Sequence, residues 1–347
     1  MRKMLLVLSI LMTACAPQAN AVVATQSAAS AELDWVDVYF TDPYAPGARQ
    51  VEGGPDEVIA AAIYAARSSV YMAIYDLNLW SIRDALLDAY ARGLDVRLVV
   101  EADNMDRREL QELTQAGIPL VADTSPNYMH NKFVVIDGYE VWTGSTNYTV
   151  SDMYGNRNNV LRLRSSELAA NYANEFDEMF TRGYFGENTF DNTPHQELYI
   201  GNVEVHTYFS PDDNVAAALV DLIDDAEESL YFLAFSLTLD EIGDALVRAQ
   251  QRGVEVLGIM DDAQIGNQGG EYEFLRQNGV QVHRDEAATN LHDKVLIVDE
   301  TVVVTGSYNF SSNAEFRNDE NTLVIYSPSV AAEYLRQFRL LWALTEK

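Results

Sequence analysis

The chain has 347 residues, room for two ordinary domains or one large duplicated unit, and 48% of them are hydrophobic, as in a globular protein with a sizeable core. A formal net charge of −30, from 53 acidic against 23 basic residues, argues against strong nucleic-acid binding, because a protein that grips backbone phosphates usually does so with a basic face. The acidic balance reads most simply as a solvated surface, and a single cysteine leaves no disulfide framework.

In chain order, Arg2 and Lys3 precede an apolar run, Leu5 to Met12, that is too short to span a bilayer and has the form of an export leader. Residues 1–21 fit a signal peptide ending in Ala19-Asn20-Ala21. Leu11-Met12-Thr13-Ala14-Cys15 resembles a lipoprotein box, in which residues 1–14 are removed and Cys15 is lipidated. Cys15 being the only cysteine favours that version. The expected location is the bacterial cell envelope, or the periplasm or exterior if ordinary cleavage applies. Residues 22–34 are small and polar, without periodicity, as in a flexible tether. A first half is predicted over 35–182: strand 35–40, helix 55–67, strand 69–75, helix 81–92, strand 96–100 and a short helix 107–116. Gly, Asn and Pro mark 183–203 as a linker. Over 204–347 the same order returns, with strand 205–209, helix 214–226, strand 230–235, helix 240–252, strand 254–260, a short helix 270–277 and a closing helix 328–344. The offset settles at 160–162 residues. The chain is an internal duplication, each half with the β-α-β-α-β order of an α/β layered domain.

One pattern occurs in both halves. His130, Lys132, Asp137, Gly144, Ser145 and Asn147 read H-x-K-x4-D-x6-G-S-x-N, and His292, Lys294, Asp299, Gly306, Ser307 and Asn309 repeat that spacing 162 residues later. Only four lysines occur, Lys3, Lys132, Lys294 and Lys347, so the two inside the body are both motif residues. Residues two apart on a strand share a face, which puts His130 beside Lys132 and His292 beside Lys294. A two-residue turn at Asp137-Gly138 would pair residue 136 with 139, 132 with 143 and 130 with 145. Ser145 then faces His130, with Asn147 just beyond, and Ser307 faces His292. Imidazole, ammonium, hydroxyl and carboxamide on one patch suit a phosphate group. Asp137 and Asp299 fall at strand-ending turns, where a structural role is expected.

These two motif copies resemble the signature of the phospholipase D superfamily, over roughly residues 36–345. The resemblance implies a duplicated phospholipase D-like fold, two α/β/α layered halves with the active site at their interface, so that a monomer suffices for a complete site. It implies a phosphodiesterase working through a phosphohistidine, with no metal or other cofactor. Lys132, Lys294, Asn147 and Asn309 would hold the non-bridging oxygens, and Ser145 and Ser307 would add hydrogen bonds. Where the family often has a Glu that orients the histidine, the second copy has Glu320, whereas the first has Asn156-Arg157-Asn158-Asn159 and no carboxylate. The expectation is that Glu320 backs His292, raises its pKa and makes it the proton donor, leaving His130 with an amide as the nucleophile. The expected substrate is a phospholipid head group, reached at a membrane surface through the lipid anchor. A metal-independent nuclease is the alternative, and a silent phosphate- or lipid-binding protein is the alternative of another class.

Overall fold

The computed structural model describes residues 34–287 and 289–345. The expected signal peptide with Cys15, and residues 22–33 of the tether, lie outside them. No helix among the described residues is long and apolar enough to cross a membrane.

Each half is built on a mixed sheet. The first contains β1 (Val36–Phe40), β2 (Ser69–Ile74), β3 (Asp95–Glu101), β4 (Leu120–Asp123), β5 (Lys132–Ile136), β6 (Glu140–Gly144) and β7 (Asn159–Arg164), in the order β1-β7-β6-β5-β2-β3-β4. The second contains β8 (Glu197–Ile200), β9 (Val203–Ser210), β10 (Ser229–Ala234), β11 (Glu255–Asp261), β12 (Gln281–Asp285), β13 (Lys294–Val298), β14 (Val302–Gly306) and β15 (Glu320–Tyr326), in the order β12-β11-β10-β13-β14-β15-β9-β8. Strands joined through a helix, β2-β3-β4 and β10-β11-β12, run parallel, and the motif strands pair antiparallel. The edge strand β8 comes from the stretch read as a linker.

Alternation along the strands sorts side chains between two faces. On β5, Val134 and Ile136 pack outward under α1 (Pro55–Ala65), α2 (Trp80–Ala91) and α3 (Arg108–Gln115). Phe133 and Val135 point inward. The second half repeats this with α6 (Val215–Asp225), α7 (Asp240–Arg252) and α8 (Tyr272–Gln277) on its outer face. The inner faces share one core, with α5 (Ser166–Asp177) and α10 (Pro328–Thr345) between the sheets, and the short helices α4 (Val150–Tyr154) and α9 (Ser312–Phe316) follow β6 and β14. Tyr172 of α5 meets Phe133 of the first sheet and Phe209 of the second, at ring separations of 5.0 and 5.2 Å. Tyr334 of α10 reaches back to Phe40 at 5.2 Å. The halves are therefore fused through apolar packing, which holds their motifs in a fixed relation.

The motif hairpin departs from expectation by one residue. Asp137 and Gly138 are both left-handed (φ 54° and 62°) and Tyr139 N–H donates to the Ile136 carbonyl, but the ladder pairs Ile136 with Glu140 and Val134 with Trp142. Tyr139 is an extra residue after the turn, so the register moves on by one. Continued, it sets Gly144 rather than Thr143 opposite Lys132, and Ser145 no longer faces His130. The second hairpin does the same, with Asp299 and Glu300 left-handed and Val298 paired with Val302.

Candidate active site

The site is assembled by exchange between the halves. His130 N–H donates to the Asp319 carbonyl and Asp319 N–H to the Tyr128 carbonyl, each at 3.0 Å. Reciprocally, His292 N–H donates to the Arg157 carbonyl and Arg157 N–H to the Asn290 carbonyl, each at 2.8 Å. Each H-x-K segment is thus clamped by the strand entry of the other half. The residue behind each histidine consequently comes from the opposite repeat.

This corrects the expected partner of Glu320. Its carboxylate lies 2.7 and 2.9 Å from Nδ1 of His130, not beside His292. His292 Nδ1 lies 2.8 Å from Oδ1 of Asn158, with Asp152 Oδ1 farther off at 3.9 Å. Amide oxygens only accept, so Asn158 requires the proton on Nδ1 of a neutral His292 and leaves Nε2 with its lone pair. Asn158 is itself fixed: its Oδ1 accepts from Ser145 Oγ at 2.9 Å and its Nδ2 donates to the Asp152 carbonyl at 3.1 Å.

Both lysines are buried and donate to the carbonyl of their own motif histidine, at 2.6 Å in each copy. Tyr75 stands edge-on to His130 (5.0 Å) and under Lys132 (5.2 Å), and Phe235 does the same for His292 (4.7 Å) and Lys294 (4.8 Å). Burial lowers Lys132 to about 8 and burial, reinforced by Lys132, lowers Lys294 to about 7. Burial also pushes both imidazoles down. In His130 the Glu320 charge opposes that shift. His292 is driven well below the ordinary range by burial and then by Lys294, Lys132 and His130. Four titratable groups from two halves therefore share one field.

Other motif residues are distributed by role. Asn147 and Asn309 keep their side-chain oxygens buried without a protein partner among the described residues. Ser145 and Ser307 accept from the backbone N–H of Asn159 (3.1 Å) and Asn321 (3.0 Å), tying each motif to its neighbouring strand. The glycines before them make that approach possible: Gly144 (φ +146°) and Gly306 (φ +153°) lie where a Cβ would collide with the carbonyls of Asn159 and Asn321. Asp137 accepts from the N–H groups of Arg67, Ser68 and Ser69, and Asp299 from those of Glu227, Glu228 and Ser229. These carboxylates tie the hairpin turns to the loops entering β2 and β10, far from the histidines.

Several site residues carried no motif signal. Asn321 Nδ2 donates to Asn131 Oδ1 at 2.8 Å, and Asn159 Nδ2 to Asp293 Oδ1 at 2.7 Å, sewing the middle residue of each H-x-K to the other half. Thr143 and Thr305 complete the network by donating to Asn321 and Asn159, at 2.6 and 2.8 Å. The repeat offset was the available signal: Asn158 and Glu320, Asn159 and Asn321, and Thr143 and Thr305 are all 162 apart.

Two buried imidazoles and two buried ammonium groups, contributed equally by the duplicated halves, lie close enough to shift one another's charge, and together can supply a nucleophile, a proton donor and cationic contacts to an anion. The family model described as cardiolipin synthase, PLD-like domain matches residues 59–180 and again 219–342. The chain belongs to the phospholipase D superfamily. It is 34% identical over 135 residues to a phospholipase D of Rickettsia bellii, covering 39% of this chain and 67% of that protein. To a mitochondrial cardiolipin hydrolase of Chlamydomonas reinhardtii it is 31% identical over 137 residues, 40% of this chain and 61% of the relative. The solved phosphatidylserine synthase of Haemophilus influenzae superposes over 84% of both chains with a TM-score of 0.65, and at 14% identity this likeness concerns the fold alone.

Proposed function

We propose that this protein hydrolyses or exchanges the head groups of phospholipids through a covalent phosphohistidine. The observation that carries the reading is the cross-half pairing of His130 with Glu320 beside a second imidazole, His292, held by an amide. Glu320 keeps the proton on Nδ1 of His130, presents Nε2 to phosphorus and offsets the positive charge that the ring acquires as the N–P bond forms. His292 donates a proton to the departing oxygen as the P–O bond breaks. Burial first and then the two lysines keep it neutral at rest, and it gains that proton when an anionic phosphate between Lys132 and Lys294 offsets their charges and adds its own attraction. In the second half-reaction His292 takes a proton from water or an alcohol, which attacks phosphorus and releases His130. Lys132 and Lys294 donate to the non-bridging oxygens, and Asn147 and Asn309 do so through their amide nitrogens.

The choice of lipid rests on the relatives named phospholipase D and cardiolipin hydrolase and on the charge of −30, which disfavours polyanionic nucleic acid. An exported, Cys15-anchored protein at the cell envelope belongs to the same reading. The test is head-group release from mixed phospholipid vesicles with ethanol as competing acceptor, followed by alkaline quench and peptide mass spectrometry of His292→Asn. Phosphatidylethanol from the wild type and a phosphatidyl group, or its deacylated glycerophosphoryl remnant, on His130 in the variant are expected. The same adduct on His292 in a His130→Asn protein would reverse the two roles, and cleavage of DNA with no lipid turnover would replace the substrate.

A further inference from the structure

Each half places a short helix after its motif, and the two helices differ in charge. Asp152 on α4 and Ala314 on α9 lie 162 residues apart, and both are buried. In the second half the carboxylate stands at the strand entry, as Glu320, and the helix has Ala314. In the first half the strand entry has the amide Asn158, and the carboxylate stands on the helix, as Asp152. Each half therefore turns one buried carboxylate toward the histidine of the other, from different elements and at different range. Glu320 lies 2.7 Å from His130 Nδ1, whereas Asp152 Oδ1 lies 3.9 Å from His292 Nδ1. Among the described residues, His292 is the one basic side chain that pairs with Asp152.

Asp152 is held at that range by its neighbours. Its Oδ1 accepts from Asn156 Nδ2 at 2.7 Å, and Asn156 Oδ1 accepts from the N–H of Asn290, two residues before His292. Its N–H donates to Thr149 Oγ1, which caps α4, and its carbonyl accepts from Asn158 Nδ2. One set of hydrogen bonds thus fixes both the amide that touches the ring and the charge behind it. At 3.9 Å the carboxylate is too far to accept Nδ1–H, so the neutral ring keeps its bond to Asn158, yet its charge still favours the imidazolium. A carboxylate in contact, as at His130, suits a ring that gains positive charge by attacking phosphorus. One set back suits a ring that must give its proton away. Lys294 on its own strand, and Lys132 and His130 from the first half, oppose protonation of His292. Of the two facing carboxylates Glu320 is engaged by His130, which leaves Asp152.

We propose that Asp152 is the counter-charge of His292, a positioning residue through which the buried ring carries the proton for the leaving group. The inference rests on the reading of His292 as proton donor. The test compares kcat/KM, which reports the steps through departure of the leaving group, on two short-chain substrates. Phosphatidylglycerol releases an alkoxide that needs a proton, whereas a phosphatidyl ester of p-nitrophenol releases a phenolate that does not. D152N keeps the shape and the bond from Asn156, and it should lose about tenfold more on phosphatidylglycerol than on the p-nitrophenyl ester. D152N/N158D returns a carboxylate to the ring and should recover most of that difference. Equal losses of D152N on both substrates, no loss on either, or a double variant no better than D152N overturns the proposal. His292→Asn tests the underlying reading separately, since a donor's removal must also spare the p-nitrophenyl ester. If it does not, or if neither lipid is turned over, NMR titration of the histidines with inorganic phosphate present decides the role of Asp152. The pKa of His292 should then be about one unit lower in D152N than in the wild type, and an unmoved value overturns the proposal.

Discussion

Glu320 stands behind His130 and Asn158 behind His292, at positions that are equivalent in the repeat. A carboxylate stabilises an imidazolium by charge, whereas a carboxamide offers only a dipole, so the rings differ in how readily each carries a proton. Asn158→Asp gives His292 the partner that His130 already has. The pKa of His292 should rise, and the alkaline limb of kcat/KM should move upward by about one unit. Lys294, held at about 7, contributes to that same limb, since its ammonium is lost as pH rises through this value. The informative quantity is therefore the displacement between variant and wild type. An unmoved profile would show that His292 does not carry the catalytic proton.

The motif hairpins show how a spacing repeated within the chain divides into chemistry and scaffold. The aspartate at each turn lies at the far end of its strand from the histidine and accepts three backbone N–H groups from a loop some 70 residues earlier. Those bonds hold the carboxyl of Asp137 below its ordinary range against the opposing effect of burial. Asp137 is also left-handed at φ 54°, a conformation that Asp tolerates better than Ala. Asp137→Ala should lower stability by about 1–3 kcal/mol in denaturant unfolding. Turnover per folded molecule should be unchanged, and a large fall in kcat at full folding would mean that the turn reaches the chemistry.

Across the whole molecule, acidity is buried as well as displayed. Glu175 and Asp319 are pushed well above the carboxylate range by burial and then by neighbouring acids, while burial raises Asp213 and Glu271 to about 7 and Asp293 to about 6. Each ionises at a higher pH in the fold than in the unfolded chain. Its contribution is complete below the unfolded value and lost as pH rises through the folded one. The melting temperature should accordingly fall between about pH 5 and pH 7, the five raised acids outweighing His130 and His292, whose depressed values act in the opposite sense over the same interval. Thermal unfolding at constant ionic strength checks this, and a melting temperature that rises over that interval would contradict it.

The sequence by itself determined the duplication, the α/β order of each half, and the identity of the two histidines and two lysines, because these are written in local periodicity and in spacings that repeat within one chain. The tertiary structure decided the rest. Whether Glu320 backs His130 or His292 depends on which strand entry lies against which H-x-K segment, a contact across 190 residues that the packing of two sheets on α5 and α10 creates. The hairpin register turned on one extra residue, since Asp-Gly signals a turn without fixing how many residues follow it before pairing resumes. The nearness of Asp152 to His292 has the same origin, since α4 and the second motif meet only where the halves pack. A repeat makes two halves alike in pattern, and only their packing against each other makes them different in chemistry.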